Sequence, residues 1–182
     1  RVLFRSGQYG TLGYAGPREL RAGSYLPYTG AMKFDSSDMA YMEGSGTLAA
    51  VIAHEMGHVL GFGTLWDLFK LNPVFGQYIG ANALAEYRTL SGNINAAYVP
   101  LETNGGQGTA NSHWSEKEFD RELMTGYSES SMPMPLSRLT IAAMKDLGYQ
   151  VNFGAAEAFT LLLAGAEDTV RLAGVEEQTM IL

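Results

Sequence analysis

The chain has no cysteine and only three histidines among its 182 residues. Without cysteine it can form no disulfide, no thiol nucleophile and no thiolate-bound metal site, so a bound metal ion must be held by histidine and carboxylate side chains. Basic residues are also scarce, since 12 lysines and arginines stand against 19 acidic residues and give a net charge of -7. This balance, with no basic run, argues against nucleic acid as a partner.

Long hydrophobic runs are missing as well. No apolar stretch approaches the roughly twenty residues that a membrane-spanning helix needs, so we expect no transmembrane segment. A chain of this length with 46% hydrophobic residues can bury a sizeable core, and we expect one domain over residues 7–155 with a tail, linker or truncated further module over 156–182. Residues 1–6 resemble a translated sequencing-adapter remnant, so we expect them to be non-native, with an ordinary short strand at 2–4 as the alternative.

Two of the three histidines lie in one short motif, HEMGH, at residues 54–58. On an α-helix this spacing places His54 and His58 on one face, where their nitrogens can bind one Zn²⁺ ion while Glu55 acts on a water molecule at that ion. A catalytic zinc ion takes three protein ligands and leaves one position open, and His113 is the third histidine. The alternative is a pair of solvated or hydrogen-bonded structural histidines.

The residues around the motif favour a helix. Thr47 or Ser45 can cap its N-terminus, residues 48–53 are good or tolerable helix formers, and Gly61 and Gly63 can end it. A stripe of apolar residues, which we expect to be buried so that the motif side chains face a cleft, consists of Leu48, Ile52, Met56 and Val59.

Further elements are predicted on either side of the motif helix. Residues 31–35 alternate between apolar and polar and predict a strand, which could form the rim of a cleft and pair with an extended peptide. Residues 79–90 and 136–147 predict helices, the second starting at Ser137 and ending at Gly148. Residues 149–153 alternate as a short strand.

Four segments together resemble the catalytic domain of leishmanolysin-type metalloproteases of the metzincin clan: 54–63, 112–114, 122–124 and 137–149. Ordinary metzincins carry His or Asp three residues after the motif glycine, where this chain has Thr64. Leishmanolysin-like members instead have an insertion before the third histidine, as His113 would require. The resemblance covers roughly residues 10–155 and implies an α+β fold, in which a small sheet, an active-site helix and a C-terminal helix flank a cleft.

The resemblance also implies the roles of the site residues. His54, His58 and His113 would be zinc ligands, Glu55 the general base, and Met124 the Met-turn residue beneath the metal. The chain would be a zinc endopeptidase that hydrolyses protein or peptide substrates. Because it lacks cysteine and has a smaller domain than protozoan members, the resemblance is to bacterial relatives and implies a secreted or extracellular protein.

Two other functions stay open at the level of sequence. In a thermolysin-like ligand set the third zinc ligand is a glutamate on a later helix, and Glu86 is such a candidate. A zinc-stabilised binding module without catalysis is the second alternative, although a structural zinc ion normally has four protein ligands and no use for Glu55. Tyr127 could stabilise an oxyanion or be an ordinary tyrosine, and packing is the expected role of Trp66 and Trp114.

Overall fold

A computed structural model describes residues 3–4, 10–129, 132–161 and 180–181. Its helices are α1 Met39–Ser45, α2 Leu48–Val59, α3 Trp66–Phe69, α4 Ala81–Ser91, α5 Glu116–Phe119 and α6 Arg138–Asp146, with a 3-10 turn at Phe153–Ala155. Its strands are β1 Leu3–Phe4, β2 Gly13–Leu20, β3 Pro27–Asp35, β4 Gln77–Tyr78, β5 Val99–Pro100, β6 Tyr127–Ser128 and β7 Met180–Ile181. The predicted α+β fold class is confirmed.

The largest sheet has the strand order β1-β3-β2. Strand β3 lies in its centre, parallel to β1 and antiparallel to β2. Among the described residues, β1 pairs with β3 only at Phe34 and Asp35, whereas β2 pairs with β3 from Phe34 to Pro27. The strand predicted at 31–35 is present within β3. No residue of β3 lines the cavity at the motif, so its predicted place at the cleft rim is not confirmed. Strand β2 lies beside the cavity that contains the motif side chains.

Helix α2 carries the HEMGH motif and packs on β2 and β3. Gly30 permits this close approach, because a Cβ added there would lie 2.5 Å from Cγ1 of Val59. The predicted apolar stripe is wrong at Met56, which is 49% exposed, while its other members are partly buried. The fully buried side chains of the helix include His54 and Glu55 instead. The helix buries its polar motif face because strand β2 and the later chain around Met124 cover that face.

The ends of α2 follow the sequence prediction in part. Thr47 is the N-cap residue, but its side chain makes no capping hydrogen bond and instead pairs with the Ser45 hydroxyl at 2.9 Å. At the other end, Gly61 and Gly63 adopt φ values of +111° and +69°. These angles suit glycine, since left-handed backbone is disfavoured for residues with a Cβ. The chain can therefore turn sharply after the motif.

An aromatic cluster joins the segment after α2 to the segment that carries the third histidine. Phe62 and Trp114 lie with ring centroids 5.1 Å apart, and Trp66 lies 4.6 Å from Phe62 and 5.4 Å from Trp114. Such pairs contribute roughly 0.5–1.5 kcal/mol each beyond the area they bury. The packing role expected for both tryptophans is confirmed, and it fixes the two histidine-bearing segments relative to one another.

The C-terminal part confirms two predicted helices and corrects one strand. Helices α4 and α6 correspond to the predictions at 79–90 and 136–147, and Ser137 accepts a capping hydrogen bond from the Thr140 amide. Residues 149–153 do not form the predicted strand. The Tyr149 hydroxyl donates to the Leu60 carbonyl, and the chain then enters the 3-10 turn. The alternating sequence of residues 149–153 matches alternating burial, because one side of this segment packs on the domain although no strand pairs with it.

Two predicted terminal segments fall partly outside the described residues. Residues 3–4 form β1, which agrees with the short-strand alternative, while the non-native origin of residues 1–6 stays a prediction. Of the proposed tail over 156–182, the structure describes 156–161 and 180–181. In its first part, the Leu136 amide donates to the Glu157 carboxylate at 2.7 Å, and the Glu157 amide donates to the Leu136 carbonyl at 2.9 Å.

Candidate active site

The structure brings the three histidines into one buried cluster. The Nε2 atoms of His54 and His58 lie 2.9 Å apart, and the His113 Nε2 atom lies 3.1 Å from the first and 2.9 Å from the second. The three side chains are 0%, 6% and 1% exposed. Helix α2 supplies the first two, and the long connection after α4 returns the third to the same point.

Backbone carbonyls fix the other nitrogen of each ring. The Nδ1 atoms of His54, His58 and His113 lie 2.7, 2.9 and 2.9 Å from carbonyl oxygens, and those oxygens belong to Leu123, Phe62 and Thr109. A carbonyl can only accept, so each Nδ1 carries the proton and donates it. Each Nε2 atom is then a bare acceptor. Three lone pairs therefore converge with no proton between them, an arrangement that could hold a metal ion.

This donor set fits a zinc ion. Nitrogen atoms that share one zinc ion lie at most about 4.2 Å apart, because each Zn–N bond is about 2.1 Å, and the three separations are 2.9 to 3.1 Å. Neutral imidazole with its second nitrogen bound to a carbonyl is the usual form of a histidine ligand. In a chain without cysteine, the chemistry of these donors selects a metal that accepts imidazole.

Burial keeps the histidines neutral. It lowers the pKa of His58 to about 4 and that of His113 to about 3. Burial also lowers the pKa of His54 well below its ordinary value, with a further contribution from the charges of the other two rings. The cluster is therefore deprotonated at neutral pH, as a metal site must be before binding.

Glu55 lies buried in the same cavity. It is 0% exposed, and neither of its carboxylate oxygens has a hydrogen-bond partner in the described part of the chain. Burial raises its pKa to about 8. Strand β2 passes directly over it, since a Cβ added to Gly13 would collide with Oε1 and lie 2.9 Å from Cδ. A buried carboxylate without donors is costly, and such groups concentrate at functional sites.

Met124 packs against α2 between the two motif histidines. It is 1% exposed, and a Cβ added to Gly57 would lie 2.8 Å from its Cε and 2.9 Å from its Sδ. The Met124 carbonyl accepts a hydrogen bond of 3.0 Å from the Trp114 amide. Its side chain thus forms an apolar floor beneath the motif, in the place where the sequence predicted a Met turn.

A cavity of about 600 Å³ opens above the cluster. Glu55, His58 and His113 line it, together with residues 13–15 of β2 and the segment 107–113. The volume lies in the range of ligand-binding pockets. A peptide segment placed in this cavity would lie against both the histidine cluster and the backbone of β2.

The alternative site residues lie elsewhere or have other partners. Glu86 forms an ion pair of 2.8 Å with Arg138 on α6 and is not part of the histidine cluster. The Thr64 hydroxyl donates to the His58 carbonyl at 2.8 Å. Tyr127 lines a different cavity, with Glu102 as one of its neighbours. The structure therefore does not bring Glu86 or Tyr127 to the predicted zinc site.

Glu122 is a buried residue to which the sequence assigned no role of its own within the segment 122–124. It is 0% exposed, and its carboxylate accepts hydrogen bonds from Met124, Ser137 and Thr140. Burial raises its pKa, and these donated hydrogen bonds oppose the rise. The signal available in the sequence was an acidic residue directly before the apolar pair Leu123-Met124.

Within the described residues, no helix combines the length and the apolar character needed to cross a bilayer.

Comparison with known proteins gives consistent matches. The chain is 32% identical over 121 residues to a leishmanolysin homolog of Crithidia fasciculata, covering 58% of the chain and 18% of the relative. It is 33% identical over 122 residues to leishmanolysin of Leishmania donovani, covering 59% and 20%. It is 33% identical over 91 residues to a leishmanolysin-like peptidase of Drosophila melanogaster, covering 50% and 13%. The matches thus span a fifth or less of each relative's length.

The profile of one protein family matches most of this chain. Residues 22–167 match the family profile of peptidase family M8, leishmanolysin. This stretch includes helix α2 with its motif, His113 and Met124. The resemblance seen in the sequence is confirmed, and the chain belongs to the leishmanolysin family.

Proposed function

We propose that residues 7–155 form the catalytic domain of a zinc-dependent endopeptidase. In this proposal His54, His58 and His113 hold the zinc ion, and Glu55 is the general base. The observation that carries it is the convergence of three unprotonated Nε2 atoms within 3.1 Å in a cavity that also contains a buried, unpartnered carboxylate. Membership of the leishmanolysin family supports the same reaction class.

The chain's own groups supply the proton transfers. A zinc ion, when bound, would polarise the scissile carbonyl and make a water molecule more acidic. Glu55 takes a proton from the attacking water while the new C–O bond forms, and it then delivers that proton to the leaving nitrogen as the C–N bond breaks. The positive charge of the cation would lower the pKa of Glu55 from the raised value that burial produces, so the carboxylate could act as a base near neutral pH.

Protein or peptide substrates are the proposed partners. Strand β2 borders the cavity, and its register with β3 begins at the pair Gly13 and Phe34. An extended peptide could lie along β2 through backbone hydrogen bonds, which is a general mode of peptide recognition by sheet edges. Gly13 has no side chain that would displace Glu55 from its position beneath the strand. The proposed location of the protein is outside the cell, as a secreted enzyme.

Zinc analysis of paired variants tests the ligand set. We expect the purified chain to contain one zinc ion, His113→Ala to lose it and Glu86→Ala to retain it. The reason is that the His113 Nε2 atom lies in the cluster, whereas the Glu86 carboxylate is paired with Arg138. If Glu86→Ala loses zinc while His113→Ala binds it like the parent, the thermolysin-like ligand set is correct instead.

Hydrolysis of casein by the same preparations tests the activity. We expect turnover that phenanthroline abolishes, and we expect Glu55→Gln to retain zinc while losing about 10²- to 10⁴-fold of the rate, the usual contribution of a general base. Full activity after chelation would exclude a metalloprotease. A parent chain that binds zinc and hydrolyses nothing would favour the zinc-stabilised binding module.

A further inference from the structure

We propose that Glu122 is a positioning residue for the metal ligands, because its carboxylate holds the Met turn and the third-histidine segment to helix α6. The inference rests on the proposed zinc-protease function. Glu122 would act through two other groups. One is the Leu123 carbonyl, which binds His54, and the other is Trp114, which directly follows His113.

The carboxylate of Glu122 is a buried hub of four hydrogen bonds. Its Oε1 atom accepts from the Ser137 amide at 3.1 Å, the Ser137 hydroxyl at 2.5 Å and the Thr140 hydroxyl at 2.6 Å. Its Oε2 atom accepts from the Met124 amide at 2.6 Å. Short bonds of this kind to a carboxylate are the stronger hydrogen bonds of proteins. One side chain therefore joins the start of α6 to the Met turn.

The first arm of this hub reaches His54 through a single peptide group. The Met124 N–H, which donates to Glu122, and the Leu123 carbonyl, which accepts from His54 Nδ1 at 2.7 Å, belong to the same peptide unit. A peptide unit is planar, with its N–H and C=O pointing in opposite directions. The hydrogen bond from the Met124 N–H to Glu122 therefore fixes the direction of the Leu123 carbonyl. That carbonyl in turn fixes the tautomer and the ring orientation of His54.

The second arm reaches the third histidine through Trp114. The Trp114 indole N–H donates to the Thr140 hydroxyl at 2.8 Å, and that hydroxyl donates to Glu122. The Trp114 amide also donates to the Met124 carbonyl at 3.0 Å. Because Trp114 directly follows His113, the same carboxylate restrains the backbone that presents the third ring.

Only an ionised carboxylate satisfies this position, since all four groups around it are donors. A glutamine would keep one acceptor and would turn an NH₂ group towards a donor, so Glu122→Gln breaks one arm at nearly constant volume. Asp146 provides a matched control, because it lies on α6, the helix to which Glu122 is bound. Its carboxylate also accepts four hydrogen bonds, from Tyr78, twice from Asn82 and from Ala83, and it joins α6 to α4.

The test compares Glu122→Gln with Asp146→Asn in the full chain. Zinc affinity is measured by competition with a chelator, the absorption spectrum is recorded for the cobalt-substituted chain, and urea unfolding is measured without metal. We expect Glu122→Gln to bind zinc about 10- to 100-fold more weakly, the usual loss when a partner of a ligand is removed, with a changed cobalt spectrum. Asp146→Asn should lose stability but keep the zinc affinity of the parent within about twofold.

Parent-like zinc affinity in Glu122→Gln would overturn the proposal, and so would an equal loss in Asp146→Asn, because affinity would then follow global stability alone. If Glu122→Gln does not fold, Thr140→Val and Thr140→Ser replace it. The valine should weaken zinc binding and the serine should restore it, since only serine keeps the bridging hydroxyl. A parent chain that binds no zinc would overturn the proposed function itself, whereas normal zinc binding in the parent confines a failure to Glu122.

Discussion

The buried carboxylate of Glu55 is expected to destabilise the metal-free protein. Its pKa rises from the ordinary value of 4.5 to about 8 because burial disfavours the charged form. At pH 7 the folded chain therefore holds this group protonated, while the unfolded chain releases the proton. Glu55→Gln places a neutral group of similar size in the same site, so it removes the cost of proton uptake and leaves the burial of a neutral polar group nearly unchanged.

The size of the effect follows from linkage. The folded chain binds more protons than the unfolded chain between pH 4.5 and 8, so the stability that Glu55 contributes is complete below pH 4.5 and is lost as the pH rises. The cost at pH 7 is about 3 kcal/mol, from 2.5 pH units at about 1.4 kcal/mol each. At pH 5 it is only about 1 kcal/mol. Glu55→Gln should therefore be more stable than the parent by about 3 kcal/mol at pH 7 and by only about 1 kcal/mol at pH 5.

Urea unfolding of the two metal-free chains measures this difference directly. With a slope of about 1–3 kcal/mol per molar urea, 3 kcal/mol corresponds to a midpoint shift of about 1–3 M at pH 7. Titration of the histidines affects both chains alike and cancels in the difference. A shift that is the same at pH 5 and pH 7, or a glutamine variant that is less stable at pH 7, would refute the reasoning. The variant that loses catalysis should thus be the more stable protein.

Two further predictions concern the same helix. In the metal-free Glu55→Gln background, unfolding free energy should fall as the pH drops from 7 to 4, by about 3 kcal/mol from His58 alone. The reason is that the folded pKa values of His58, about 4, and of His113, about 3, lie below the ordinary 6.5. Between these values the unfolded chain binds more protons than the folded chain. Urea midpoints that stay constant with pH would contradict this prediction. Gly57→Ala should destabilise the protein by about 1–3 kcal/mol in thermal or urea unfolding, because its Cβ would lie 2.8 Å from the Met-turn side chain. In the control Gly44→Ala, no atom lies within 4 Å of the new Cβ, so this change should stabilise helix α1 by up to about 1 kcal/mol. Equal effects of the two changes would exclude a close contact between residue 57 and Met124.

The sequence alone determined the identity of the candidate donors. The spacing of His54 and His58 places both rings on one face of a helix, and helix geometry depends only on neighbouring residues. His113 is the only other histidine and the chain has no cysteine, so the sequence left His113 and the carboxylate of Glu86 as the candidates for the third ligand. The helices at 79–90 and 136–147 were predictable for the same local reason, as were the glycine turns that end α2. Their roles as ligands and base stay proposals that zinc analysis and turnover will test.

The tertiary structure decided which faces of these elements are covered. Met56 was expected inside and lies exposed, and β2 borders the cavity where β3 was expected. The first outcome depends on a distant segment, because the chain around Met124 covers the motif face of α2. The second depends on the hairpin of β2 and β3, in which β2 is the strand beside the cavity. Local periodicity shows that a helix has two faces, but the partner that covers one of them is chosen by the whole fold.

The hydrogen bonds that orient the site were likewise beyond the reach of sequence. The carbonyl that accepts from His54 belongs to Leu123, 69 residues away. The carboxylate of Glu122 accepts a hydrogen bond from the same peptide unit, and no sequence pattern showed this contact. The sequence specifies the chemistry of each side chain, whereas its hydrogen-bond partners are set only when distant segments come together in the fold. For this reason the donor atoms could be named from the sequence, while their tautomers, their burial and the support beneath them required the folded chain.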